Sequence, residues 1–374
     1  MIKGYKKKYK IVRIGSFPTE SQHGRGRHNF ELSNVHTKDT LLITWKTAQR
    51  LSRKLTDLDI KEILFYEKSV RNSNIIKYKL NQLIRLIMLF YFTLTSVIII
   101  ISKSPKVIHI HSPMFLGIGM IIKILSFGRV KLLITYHGED FIHTKNSILL
   151  LYLNQIFVDN ALFISWTQYN ECKFIKSKYW TPNGINKENW IKPNEIIRKP
   201  LSFLAVGKFK PQKNFSGLLI SWKHIIQDIP EASLTIIGEG ELDNQIKNLV
   251  NELGLNQSVK ILPFQNKEEL NKYYWANEFF ISNSIWEGFA KVVLEALACD
   301  CKIALTSVDS HKKVFRDWPF LIKPNSKIST EQVIRKILIE DYDWIQHNRI
   351  LNKYSTSQLQ SHYKTIINDI VQLS

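Results

Sequence analysis

Two short runs decide the class of fold before any other feature is weighed. Lys106-Val-Ile-His-Ile-His and Arg129 to Tyr136 each read as a strand, with the apolar, glycine-containing segment Phe115 to Phe127 between them. Strand, crossover and strand make a βαβ unit, so the two strands are parallel. In open sheets of that kind, ligands bind beyond the carboxyl ends of the strands. Further strands are expected over residues 9–15 and Leu41–Trp45. The alternation restarts at Ser202-Phe-Leu-Ala-Val-Gly207. It continues through strands starting at Ser233, at Ser258, before Ser282 and at Lys302. Helices are expected over Phe215–Asp228, Leu242–Leu253, Phe289–Cys299, Ile328–Ile339 and Thr356–Val371. A chain of 374 residues holds two such domains, each with its own core.

The net charge of +20 is unevenly spread. Residues 1–198 carry 31 Lys and Arg against 13 Asp and Glu, whereas residues 199–374 carry 21 against 19. From Val70 to Gly138 there is no acid at all. Such asymmetry points the first half at an anionic partner, and nucleic acid and a phospholipid surface both qualify. Inside that span Leu86 to Ile101 is uncharged, between Arg85 and Lys103. It is shorter than the about 20 apolar residues of a spanning helix, which leaves a core helix or an interfacial one. The acid-free flanks favour docking on an anionic membrane. The basic head from Lys3 to Lys10 is followed by no apolar run, unlike a secretory signal. The only cysteines are Cys172, Cys299 and Cys301. One residue between the last two fits neither a zinc knuckle nor a redox pair, so a reducing compartment and no metal are expected.

The chemistry concentrates between Ile281 and Ala304. Glu287 and Gly288 precede a helix whose first N–H groups, at Phe289, Ala290 and Lys291, suit phosphate or sugar oxygens. Glu295 sits inside an apolar helical run, a costly place for an unpaired carboxylate. Both glutamates are suited to accepting vicinal hydroxyls. Equally, Glu287 is a helix-start charge and Glu295 an i, i+4 partner of Lys291. Lys208 and Lys213 lie just past a strand end, where cations suit a diphosphate and where a solvated basic turn is the plainer reading. Asp57-Leu-Asp59 reads as a solvated turn. His109, His111 and His137 cluster near strand ends, as zinc ligands or, more commonly, as hydrogen-bonding residues. Gly238-Glu-Gly240 fails as a dinucleotide fingerprint because Asp243 stands where the third glycine belongs.

Glu287-Gly-Phe-x-x-Val-x-Leu-Glu295-Ala-x-Ala resembles the Glu-x7-Glu signature of the retaining glycosyltransferases of family 4, which belong to the glycosyl transferases group 1. Supporting segments are His137-Gly-x-Asp140, Thr181-Pro-Asn-Gly-Ile185, the Lys208–Lys213 loop and a first-strand loop in which Gly24 matches the second family glycine and His23 replaces the first. Asn186 stands for the usual Asp, and Lys208 for the usual Arg. The resemblance implies a GT-B fold, two Rossmann-like α/β/α domains facing a deep cleft. The expected division is 1–185 for acceptor binding, 186–200 as linker and 201–350 for the nucleotide sugar, with 351–374 returning as a helix to the first domain. It implies transfer of a sugar from a nucleotide diphosphate to a saccharide or lipid-linked acceptor with retention, in cell-surface polysaccharide or lipopolysaccharide synthesis.

In that reading Gly24, Gly207, Lys208, Lys213, Glu287, Gly288, Phe289, Ala290, Lys291 and Glu295 bind the donor. Lys208 and Lys213 neutralise the leaving diphosphate, Glu287 holds the sugar, Glu295 accepts the ribose hydroxyls and His137 orients the sugar. No metal, cofactor or dedicated base is expected, no nucleic acid is a partner, and the place of work is the cytoplasmic face of the membrane. A phosphorylase or epimerase on the same fold, or a basic nucleic-acid binder, are the alternatives.

Overall fold

The computed structural model describes residues 8–16, 28, 32, 35–45, 58–63, 75–289 and 291–373, the side chains of 75–79 and 139 apart. They form two compact units, Met1–Thr181 with Leu359–Ser374, and Pro182–Gln358.

The first unit runs β1 (Ile11–Ile14), β2 (Thr40–Trp45), β3 (Asp59–Ile63), α1 (Ile75–Lys103), β4 (Val107–Ile110), α2 (Leu116–Leu125), β5 (Lys131–Tyr136), α3 (Glu139–Lys145), α4 (Ile148–Phe157), β6 (Asn160–Phe163), α5 (Trp166–Glu171) and β7 (Ser177–Trp180). Its seven-stranded sheet has the order β3-β2-β1-β4-β5-β6-β7, and the pairs are parallel. The βαβ unit expected around residues 106–136 is β4-α2-β5, with Val107 opposite Lys131. Strands covered on both faces read as continuous apolar runs, and alternate residues divide between the two cores. Val12, Ile14, Ile108, Ile110 and Ile134 share a core with Phe92 and Ile100 of α1 and with Ile118 and Ile122 of α2. Ile11, Val107, Leu133 and Leu162 pack instead on Tyr363, Ile366, Ile367 and Ile370 of the helix Thr356–Gln372.

The second unit runs β8 (Lys199–Val206), α6 (Phe215–Asp228), β9 (Ser233–Ile237), α7 (Asp243–Glu252), β10 (Val259–Leu262), α8 (Lys267–Ala276), β11 (Asn277–Ser282), α9 (Lys291–Ala298), β12 (Lys302–Thr306), α10 (Asp309–Val314), β13 (Leu321–Ile322), α11 (Lys327–Ile339) and α12 (Trp344–Lys353). The helix α13 (Thr356–Gln372) then crosses from this unit into the first. Its six strands follow β10-β9-β8-β11-β12-β13, again with parallel pairs. Each sheet reverses direction once, at β1/β4 and at β8/β11. Such switch points are where doubly wound sheets receive ligands. Two α/β units of this kind are the GT-B fold.

Several expectations need correcting. Helix α1 is 29 residues long, not the uncharged stretch alone, because Arg85 sits on an exposed face and does not interrupt it. The stretch expected to be a linker, 186–200, belongs to the second unit. There Asn186 caps a short 3-10 turn, Lys187–Trp190, by accepting from the Glu188 N–H at 3.1 Å. Trp190 at its end is buried against Tyr274, ring to ring at 5.8 Å. The unit boundary falls at 181/182, and of residues 351–374 only those from Leu359 join the first unit. Asp59 opens β3 and accepts the Tyr9 hydroxyl at 2.9 Å, so it is no solvated turn; Asp57 lies outside the described residues.

The pattern Gly238-x-Gly240 has a packing origin. A Cβ on Gly238 would meet the Gly207 carbonyl oxygen at 1.9 Å, because the end of β9 lies directly on the loop leaving β8. The Gly207 N–H to Ile237 and Phe209 N–H to Glu239 bonds hold that contact.

Candidate active site

At the second switch point two loops leave neighbouring strands. The loop after β8 turns through the 3-10 helix Pro211–Lys213, and Asn214 then caps α6, its side chain accepting from the Gly217 N–H at 3.3 Å. The loop after β11 runs from Asn283 to the start of α9. Two hydrogen bonds tie the loops together: Ile285 N–H to the Gln212 carbonyl at 2.8 Å, and Asn283 Nδ2 to the Asn214 carbonyl at 3.3 Å. This juxtaposition sets Lys213 against Glu287, Nζ donating to Oε1 in an ion pair whose side chains are 15% and 7% exposed. Ser284 Oγ donates to the same carboxylate oxygen at 2.7 Å. Charge-assisted bonds of this sort are the strong ones, and a buried pair without such support is costly.

Behind the pair lies a polar chain. Thr306 Oγ1, at the end of β12, donates to the Ser284 carbonyl at 2.5 Å. The Thr306 carbonyl in turn takes the Nδ1 hydrogen of His311, at 2.8 Å. Burial lowers the His311 pKa against the opposing pull of Glu287, so the ring is neutral and its buried Nε2 carries a lone pair with no hydrogen-bond partner among the described residues.

Glu295 is buried on α9 and accepts the Tyr274 hydroxyl at 3.2 Å. Burial first, and the Glu295 charge second, hold the Tyr274 phenol well above its ordinary pKa, so it remains a donor. Gly207 passes under the aliphatic stem of Lys213, and a Cβ there would come within 3.2 Å of Cε. Lys208 is exposed and pairs with no acid among the described residues. The loop therefore offers one exposed ammonium at Lys208 and a second, at Lys213, held by Glu287.

The helix mouth differs from expectation. Helix α9 begins at Lys291, and Phe289 is in the loop with its ring 5.8 Å from that of Tyr354. Of the three N–H groups expected at the helix start, Phe289 therefore lies before it, and Ala290 is outside the described residues. Gly288 remains in the loop between Glu287 and the helix. Gly24 and His23 also lie outside the described residues. The thiols of Cys299 and Cys301 are buried, and burial pushes the Cys301 thiol up to about 12. Cys301 Sγ lies 3.2 Å from the Tyr274 carbonyl, a packing role.

His137 belongs to the first unit, where it follows β5 beside Gly138, whose φ of +91° requires a residue without Cβ. Its ring lies 5.2 Å from that of His28 and 5.8 Å from that of His111. His109 bonds the Tyr363 hydroxyl at 2.9 Å and Thr135 at 2.7 Å, while Arg13 Nη2 donates to the same hydroxyl at 3.1 Å. Burial keeps His109 and His111 well below the ordinary histidine pKa, with nearby positive groups adding to the effect. Among the described residues no group of three or more His, Cys, Asp or Glu is placed to hold a metal ion. Ser284, Tyr274 and His311 were not singled out from sequence. Only Ser284, three residues before Glu287, carried a positional hint.

Residues 186–358 match the family of glycosyl transferases group 1. Over 164 residues the chain is 32% identical to the N-acetylgalactosamine-N,N'-diacetylbacillosaminyl-diphospho-undecaprenol 4-alpha-N-acetylgalactosaminyltransferase of Campylobacter jejuni, covering 42% of this chain and 44% of that one. Over 234 residues it is 27% identical to the UDP-Gal:alpha-D-GlcNAc-diphosphoundecaprenol alpha-1,3-galactosyltransferase of Escherichia coli, covering 56% and 60%. The chain thus spans about half the length of these two curated relatives. In fold it is similar to Anabaena HepE, solved in complex with UDP and glucose, with a TM-score of 0.70 and 13% identity over 96% of this chain and 99% of that one. The sucrose-phosphate synthase of Thermosynechococcus elongatus gives 0.74 and 16%, over 98% and 100%.

Proposed function

We propose that this chain is a retaining glycosyltransferase of family 4 that moves a sugar from a nucleotide-diphosphate donor to a saccharide or lipid-linked acceptor. The observation that carries the reading is the Lys213–Glu287 ion pair, braced by Ser284, at the carboxyl ends of β8 and β11. Lys213 and Lys208 neutralise the charge that grows on the departing diphosphate. Preorganised groups of this kind are typically worth about 10²–10³ in rate. Glu287, fixed by Lys213 and Ser284, holds the donor sugar, and Glu295, oriented by Tyr274, accepts the ribose hydroxyls. His137 takes the sugar-orienting role that the family resemblance gives it. The two lysines supply the positive charge that a divalent ion supplies in other transferases, so no metal is required. The relatives named for diphospho-undecaprenol substrates support a lipid-linked acceptor, and work at the inner face of the cytoplasmic membrane, in polysaccharide or lipopolysaccharide assembly, belongs to the same proposal.

A thermal-shift panel of UDP, GDP, ADP and CMP tests the donor site. One nucleotide is expected to raise Tm, since a ligand at about 100 Kd adds about 2.7 kcal/mol of stability. Glu295→Ala is expected to weaken that nucleotide about 10–100-fold, the worth of about 1.5–3 kcal/mol in one charged hydrogen bond. Wild-type protein indifferent to all four would sink the reading.

A further inference from the structure

We infer that the outer face of α1, α2 and α4 is a docking surface for an anionic phospholipid leaflet. It gives a location to the membrane contact implied by a lipid-linked acceptor, but it stands on the surface alone and not on the transfer chemistry.

Helix α1 has two unlike faces. Phe92, Ser96, Val97 and Ile100 are buried in the first unit, whereas Leu86, Phe90 and Ile98 on the other side are 63%, 71% and 61% exposed. The stretch Leu80–Lys103 is long and apolar enough to cross a membrane. Its buried side packs on the sheet, however, so the helix lies along the unit and presents a flank, as an interfacial helix does. Helix α2 touches both α1 and α4, and it continues the surface with Ile124 exposed. Helix α4, Ile-Leu-Leu-Leu-Tyr-Leu-Asn-Gln-Ile-Phe, contains no charge and exposes 87% of Ile148. An exposed apolar area spread over three adjoining helices exceeds the scattered residues that need no explanation.

The turn after α2 points the same way. Phe127 is 87% exposed at φ +52°, followed by Gly128 at +75° and the exposed Arg129. A bulky aromatic held in the left-handed region and offered to solvent gains nothing from the fold that holds it.

The charges select the occupant. None of the three helices contains an Asp or Glu, while Arg85, Lys103 and Arg129 lie on or beside them. Two nearby acids are paired: Asp159 with Lys123 at 2.7 Å, and Glu171 with Lys145 at 2.8 Å. An apolar plane whose three helices carry cations and no acid complements hydrocarbon beneath a layer of phosphates.

Flotation with vesicles tests this. The full chain is expected to float with phosphatidylcholine doped with phosphatidylglycerol, and not with phosphatidylcholine alone. Arg85→Glu with Arg129→Glu should lower the vesicle partition constant by at least about 25-fold, taking about fivefold per basic residue lost. Phe90→Ser with Phe127→Ser should abolish binding. All four positions are exposed, so Tm and any nucleotide-induced shift should hold, which separates this proposal from the transferase reading. Wild-type protein that floats with neither lipid, or equally with both, overturns the proposal. So does wild-type protein that self-associates through this face in sedimentation without binding vesicles.

Discussion

The two switch points of this chain have the same strand order and opposite electrical characters. At β1/β4 the polar residues are fully buried: Arg13, His109 and His111 show no exposure, the histidines are neutral, and Tyr363 of α13 bonds Arg13 and His109. Arg13 has one hydrogen bond, and its Nε and Nη1 have none among the described residues. At β8/β11 a cation and a carboxylate meet, Ser284 locks them, and Lys208 stands exposed beside them. The same topology therefore carries two different electrostatic settings. At the first, the buried polar residues are bonded to the protein's own covering helix through Tyr363, while the second keeps an exposed cation beside its ion pair.

Removing Lys213 is the harshest way to break the contrast. Lys213→Ala should cost about 10²–10³ in transfer rate and, by stranding Glu287 in the interior, about 3–5 kcal/mol in stability. Replacing both partners with Lys213→Met and Glu287→Leu should recover stability and not transfer. Unfolding melts beside turnover assays separate the two losses. If the double variant still transfers sugar, the pair is structural only. The matching change in the first unit, Arg13→Met, should be neutral or stabilising, with nucleotide affinity unchanged.

Acid should sharpen the comparison next. In the unfolded chain histidine takes up a proton from about pH 6.5 downward. Folded His109 and His111 resist it until well below that, so the unfolded state binds more protons and stability falls as pH drops from 6.5. His347, held at about 4 by burial, adds a loss of about 3 kcal/mol between pH 6.5 and 4 in the second unit. His111→Asn should flatten the fall of Tm between pH 7.5 and 5, and an unchanged slope would remove this histidine from the account. The smallest effect belongs to Lys208→Arg. A planar fork in place of a point charge should tighten diphosphate binding a few-fold, read by calorimetry.

Local patterns were legible where one element carried them. The strands were readable as apolar runs, the βαβ unit as a spacing, and the Glu287 and Glu295 positions as a motif. What escaped was pairing across distance. Lys213 and Glu287 are 74 residues apart, and only the adjacency of β8 and β11 brings them together. Tyr274 meets Glu295 by the same kind of accident of topology. Helix α1 was misjudged in length because a basic residue on an exposed face leaves helical continuity intact. Hydropathy alone could not tell its buried side from its bare one. Asn186 reads as a departure from a family pattern, whereas its position fits the cap of a turn that buries Trp190.

The contact between Arg13 and Tyr363 spans 350 residues of chain. Every residue of the second unit must therefore leave the ribosome before the sheet that holds the first strand receives its covering helix. During synthesis the second unit, a continuous stretch, is free to fold first, while Ile11, Val107, Leu133 and Leu162 wait with one side bare. The sheet that contains the first strand is thus completed only after the second unit has been made, and in that interval one apolar face of it stays uncovered.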